Sequence, residues 1–173
     1  MVFNHQLNVR LVIAVKKWIW ITVSLFIVIL GLLAAYYHSI RSDLSQMQEE
    51  AVKKAKEAVD LTKIDKVNYY YGNKAYQVIE ATDHKKKKVI VFVPEKNGEI
   101  ISTEASKGIT KKEAMDKVKK ERQVDEFIDV RLGIEKKTPI WEIVYVDQQG
   151  SYNYHYLRFS SGDLYKRYTI SSR

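Results

Sequence analysis

The chain has 173 residues, 46% hydrophobic and 12% aromatic, with no cysteine. That excludes a disulfide framework, a thiolate metal site and a cysteine nucleophile, and the aromatic and β-branched content argues for packed strands rather than disorder. Of the net charge of +8, Arg10, Lys16 and Lys17 lie ahead of the first apolar run, leaving 26 basic against 21 acidic residues after it. A balance so mixed lacks the concentrated basic face that nucleic-acid binding needs, so no nucleic-acid partner is expected.

Trp18 to Tyr37 contains no charge and no proline, and about 20 apolar residues span a bilayer core as a helix. Trp18 and Trp20 at one end and Tyr36 and Tyr37 at the other sit where amphipathic rings prefer the two interfaces. Lys and Arg are retained on the cytoplasmic side. Arg10, Lys16 and Lys17 precede the run while Arg41, close to Asp43, follows it, which predicts an N-terminus inside and the bulk of the chain outside. Cleavage after Ala35 is the competing reading, but a signal peptide's apolar region runs to about 7–15 residues and this one is longer. Gly31 and Ala35 form a small-xxx-small pair, a candidate for helix packing, although ordinary membrane-helix composition also explains it.

From Leu44 to Leu61, apolar Leu44, Met47, Ala51, Ala55 and Ala58 recur at steps of three and four, which predicts an amphipathic helix. Strands are expected at 64–71, 75–81, 89–93 and 100–103, with Gly72-Asn73 and Asn97-Gly98 as turns. Thr110-Lys111-Lys112-Glu113 reads as a capping box opening a second helix to about Arg122. After it Ile128, Val130, Leu132 and Ile134 alternate with Asp129, Arg131, Gly133 and Glu135, which predicts one inward apolar face. Three more strands follow at 140–146, 152–159 and 164–170, with Gln149-Gly150 and Ser161-Gly162-Asp163 as turns.

The order of one helix and four strands therefore occurs twice, an internal repeat. Spacing aligns Ala75-Tyr76-Gln77-Val78-Ile79 with Ile140-Trp141-Glu142-Ile143-Val144, and Lys96-Asn97-Gly98-Glu99-Ile100 with Ser160-Ser161-Gly162-Asp163-Leu164. Ser106-Lys107-Gly108 is the expected join. The predicted class is α+β: an N-terminal transmembrane helix followed by two helix-on-antiparallel-sheet units, each helix covering one face of its sheet.

The helix opening Gly108-Ile109-Thr110-Lys111-Lys112-Glu113-Ala114, the strand around Trp141 to Tyr145 and the turn Ser161-Gly162-Asp163-Leu164 resemble the PepSY family. That resemblance implies a cystatin-like fold, extracellular placement and, in some members, inhibition of peptidases. The whole arrangement of basic head, single span, linking helix and two units resembles the TseB-like cell-wall elongation regulators of bacilli. It implies binding to an elongation-specific penicillin-binding protein, a peptidoglycan transpeptidase, and no catalytic residues. The expected division is a cytoplasmic head (1–17), a transmembrane helix (18–37), a first PepSY-like unit with its linking helix (38–105) and a second unit (106–173).

No catalytic site, metal or cofactor is expected from the residues themselves. His5, His38, His84 and His155 are scattered, without HExxH spacing or an arranged carboxylate partner. No G-x-S-x-G, S-x-x-K or phosphate-cradling glycine loop occurs. Two features suggest binding instead. Lys85, Lys86, Lys87 and Lys88 fill a hairpin tip, as a solubilising run or as a site for an anionic wall polymer or lipid head group. Tyr152, Tyr154 and Tyr156 share one strand face, which either packs internally or meets a partner.

Overall fold

A computed structural model describes residues 3–171, with side chains described for residues 18, 20–39 and 44–171. The chain forms two compact units, Met1–Gln46 and Met47–Arg173.

The first unit is helical, belonging to α1 (Phe3–Ala58). Its apolar side chains, among them Leu25, Phe26, Ile29 and Leu33, are exposed around the helix. A helix apolar on every side needs lipid or protein around it, and this one is long and apolar enough to cross a membrane. Arg10, Lys16, Lys17, Arg41 and Asp43, which set the expected orientation, lie outside the residues whose side chains are described.

In the second unit the last turns of α1 are followed by β1 (Leu61–Tyr71), β2 (Ala75–Asp83), β3 (Lys88–Pro94) and β4 (Ile101–Glu104), an antiparallel meander in chain order. A single 3-10 turn, Ala105–Lys107, leads to α2 (Lys111–Glu121). A second meander follows: β5 (Val124–Glu135), β6 (Thr138–Asp147), β7 (Tyr152–Arg158) and β8 (Leu164–Ile170). The Thr110 hydroxyl accepts from the Glu113 N–H at 3.2 Å and the Glu113 carboxylate accepts from the Thr110 N–H at 2.7 Å, the reciprocal capping box.

Each helix covers one face of its own sheet. Ala51 and Ala55 of α1 pack on Ile79, Ala81, Val89, Val91 and Val93, and Ala114 and Val118 of α2 pack on Val130, Ile143, Tyr145 and Leu157. Small residues at the contact let the helix approach closely, so the larger strand side chains bury fully, at about 1.5–3 kcal/mol each. The amphipathic stripe is narrower than its spacing suggests, because Leu44 is 53% exposed and Ala58 is also exposed. The helix ends at Ala58, and Leu61 belongs to β1.

The other face of the first sheet packs on the second half. Tyr70, Val78, Ile90 and Phe92 meet Leu132, Ile134, Ile140, Tyr156 and Phe159 in one buried cluster.

Internal repetition extends to irregularities. β1 has bulges between Leu61 and Lys63 and between Ile64 and Lys66; β5 has them between Val124 and Glu126 and between Phe127 and Asp129, each 63 residues later. The buried helix pairs Ala51/Ala55 and Ala114/Val118 keep the same shift. From β2 onward the shift is 64, so that helix-facing Ile79 and Ala81 correspond to Ile143 and Tyr145. The cause is one extra residue in the connection: Tyr71 pairs Ala75, whereas Ile134 pairs Pro139. This corrects the spacing-based alignment, which set Ala75 against Ile140; the equivalent of Ile140 is Tyr76, and a one-residue slip would exchange the two faces. The expected alternation along β5 is corrected too. The bulge at Phe127/Asp129 leaves Ile128 48% exposed while Gly133 and Glu135 are buried.

Candidate functional site

Equivalent positions carry opposite chemistry in the two sheets, on the face turned away from the helix. In the first sheet these positions are Asp65, Glu80, Thr82 and Lys88. The Lys88 ammonium lies 2.7 Å from the Asp65 carboxylate and donates to the Thr82 hydroxyl at 3.0 Å; Thr82 donates to Asp65 at 3.1 Å, and Lys63 lies 2.9 Å from the same carboxylate. Hydrogen bonds from Lys88 and Lys63 hold the Asp65 carboxyl down to about 2. This end of the sheet satisfies its own polar groups.

In the second sheet the same four positions are Ile128, Val144, Val146 and Tyr152. Val146 pairs Tyr152, which pairs Ile170; Val144 pairs Tyr154, which pairs Tyr168. Directly paired residues point to the same side, so these rows form one aromatic and aliphatic patch. Tyr152, Tyr168 and Ile170 are 48, 56 and 59% exposed.

The patch rests on a fixed polar base. Tyr156, the third residue of the β7 series, is buried against the first sheet. Its ring meets that of Tyr168 edge-on, with centroids 6.1 Å apart, and the Lys166 ammonium sits 4.3 Å from the Tyr156 ring centroid. Lys166 also pairs with Glu135 at 3.2 Å, and the Tyr70 phenol donates to that carboxylate at 3.2 Å. Arg131 pairs with Glu142 at 2.7 Å. Burial and then the nearby Glu142 and Glu135 carboxylates push both the Tyr70 and Tyr156 phenols far up. Glu135 and Glu142 are 3 and 4% exposed, so they are matched by cations and closed to a substrate.

Of the three tyrosines expected on one face, Tyr152 is exposed, Tyr154 is partly buried and Tyr156 belongs to the core. Tyr168 and Ile170 complete the patch. Their place is fixed by the register of β8 on β7, whose bulge between Tyr156 and Leu157 spacing alone does not reveal.

The lysine tip is less free than its sequence. Lys87 pairs with Glu104 at 3.1 Å and Lys88 with Asp65, while Lys85 and Lys86 have no carboxylate partner among the described residues. Lys86 takes a φ of 61° in the turn. Gly31 and Ala35 lie four apart on α1, and a side chain at Gly31 would meet nothing within 4 Å. His155 is fully buried beneath α2, its nitrogens unpaired among the described residues, and burial, with Arg122 adding, pushes its pKa down. No cluster of His, Asp and Glu among the described residues is placed to hold a metal ion.

Comparisons with known proteins agree with this architecture. The family described as the cell wall elongation regulator TseB-like domain matches residues 50–94, the end of α1 through β3. The chain is similar to the probable cell wall elongation regulator TseB of Bacillus subtilis (strain 168). The two are 33% identical over 158 residues, 89% of this chain and 98% of that protein. It is also similar to the solved structure of the YpmB protein from Bacillus subtilis, with a TM-score of 0.66 and 34% identity over 72% of this chain and 96% of that one.

Proposed function

Because the chain belongs to the family of TseB-like cell wall elongation regulators, we propose that it is a membrane-anchored, non-enzymatic regulator that binds a penicillin-binding protein, a peptidoglycan transpeptidase. The apolar part of α1 is the anchor, with residues 1–17 inside the cell and the rest outside, as Arg10, Lys16 and Lys17 favour. Residues 38–105 and 106–173 are two PepSY-like, cystatin-like units.

The observation that carries the reading is the exposed patch of Tyr152, Tyr168 and Ile170, flanked by the partly buried Tyr154, whereas Lys88, the first-sheet equivalent of Tyr152, is closed in an ion pair with Asp65. Tyrosine supplies large contact area at low entropic cost and is enriched at interface centres. Confinement to the membrane surface raises the local concentration of both partners, so a modest patch suffices.

The test is co-purification of the full-length protein from crosslinked membranes. A transpeptidase is expected in the recovered complex. Recovery of a secreted peptidase in its place would make the protein an inhibitor, and recovery of anionic wall polymer alone would move the function to Lys85 and Lys86.

A further inference from the structure

At the tip of the first sheet lies a cavity of about 440 Å³, within the range of small-ligand pockets, lined by Tyr69, Tyr71 and residues 73–75 and 94–97. Tyr69 and Tyr71 alternate onto one face of β1 and are 48 and 71% exposed. Tyr69 is held in place by donating to Glu95 at 3.2 Å, while the Glu95 N–H donates to the Ala75 carbonyl at 3.0 Å. Pro94 adds a flat apolar wall, and Asn73, Asn97, Lys74 and Lys96 bring amides and ammonium groups to the rim. Neither lysine has a carboxylate partner among the described residues.

The second half shows what this fold does when it fills that place. The equivalents of Tyr69, Tyr71 and Glu95 are Leu132, Ile134 and Phe159, which are 7, 2 and 4% exposed. The Phe159 carbonyl accepts from the Ile109 N–H at 2.8 Å, and its ring presses on Gly108, so the chain before α2 closes over the spot. One copy is packed with hydrocarbon and the other is open and lined by phenols, amides and cations. Packing does not require exposed tyrosines there, because its packed form is present in the same molecule.

We infer that the cavity at the Tyr69–Tyr71 tip is a binding site for an amino-sugar chain bearing carboxylate groups. The phenol faces and Pro94 provide flat surfaces for sugar rings, the asparagines can both donate to and accept from hydroxyl and N-acetyl groups, and Lys74 and Lys96 meet the carboxylates. A second cavity of about 360 Å³ on the other side of the β1–β2 turn shares Asn73 and Lys74 with the first. The two together form a track across the tip, suited to a linear chain rather than a single ring.

The experiment uses the purified full-length protein in detergent micelles, titrated by calorimetry with a soluble uncrosslinked glycan fragment bearing free carboxylates. Chitotetraose serves as the neutral chain and poly(glycerol phosphate) as an anionic chain without rings. Saturable binding of the carboxylated glycan is expected, at least tenfold tighter than either control. Tyr71→Ala, a change at an exposed side chain, should weaken it at least tenfold, and Lys74→Gln with Lys96→Gln should remove the preference over chitotetraose. No saturable binding, equal or tighter binding of either control, or undiminished binding by Tyr71→Ala would overturn the assignment. No transpeptidase is present, so a negative result leaves the partner reading standing.

Discussion

Tyr70 and Gly133 occupy the same position in the two repeats and meet each other where the halves join, the Tyr70 ring lying against the Gly133 Cα. Gly72 and Glu135, also equivalents, come together beside them. A Cβ at Gly133 would enter the Tyr70 ring, so Gly133→Ala should destabilise by about 1–3 kcal/mol as overpacking. Tyr70→Ala should cost about 3–5 kcal/mol through the cavity it leaves. In combination the two should cost clearly less than their sum, since the alanine methyl enters space the ring has left. Additive losses in denaturant unfolding would mean that the two positions do not press on one another.

Local structure was legible wherever the chain states its own turn or cap. Asn97-Gly98, Gln149-Gly150 and Ser161-Gly162 mark connections, and Thr110 with Glu113 marks the start of α2. The turn between β5 and β6 gave no such signal, because Lys136 and Lys137 adopt φ of 46° and 68° without glycine or asparagine. The bulges were equally silent, and they decide which side each β5 residue faces. Tyr152 was visible as a surface candidate from alternation, but Tyr168 and Ile170 required the β7–β8 register. The cavity at Tyr69 and Tyr71 becomes conspicuous by comparison with Leu132 and Ile134, an alignment that the silent turn displaces by one residue.

The patch makes a sharp prediction for partner recovery. Tyr152 and Ile170 are cross-strand neighbours and both exposed, so Tyr152→Lys with Ile170→Glu should leave folding within about 0.5 kcal/mol. Recovery of the transpeptidase should fall at least tenfold at unchanged membrane level. The same exchange at Lys85 and Lys86, to Gln, should leave recovery intact.

Within α1, the expectation is a tether. Gly31→Ile and Ala35→Ile raise apolarity and should preserve insertion, and partner recovery should be unchanged in a crosslinked-membrane assay. A loss confined to these variants would move recognition into the bilayer.

His155 should make the fold sensitive to mild acid. It occupies the position of Val91 in the first sheet, is fully buried, and has its pKa lowered by burial. Below about 6.5, the ordinary histidine value, the unfolded chain takes up a proton that the folded chain refuses. Stability is therefore full above that pH and falls as the pH drops toward the depressed folded value. His155→Leu should flatten this slope in denaturant midpoints measured between pH 7 and 5; an unchanged slope would assign it to other groups.

The Asp65 cluster responds at much lower pH. Its folded carboxyl titrates near 2 rather than the usual 3.8, so the contribution is present above the unfolded value and is lost as pH falls through about 2. Lys88→Gln removes the largest cause, and the Asp65 midpoint followed by carboxyl NMR should move up toward the ordinary range. A midpoint that stays put would show that Lys63 and Thr82 hold the carboxylate without Lys88.

The meeting of Tyr70 with its own counterpart has a consequence for how the protein behaves on dilution. A chain carrying only the first copy would leave Tyr70, Val78 and Phe92 facing water. Here both copies are covalently joined, so the pair resembles a dimer that cannot dissociate, with the local concentration of one half around the other set by the 105–110 connection. Its melting temperature should be independent of protein concentration.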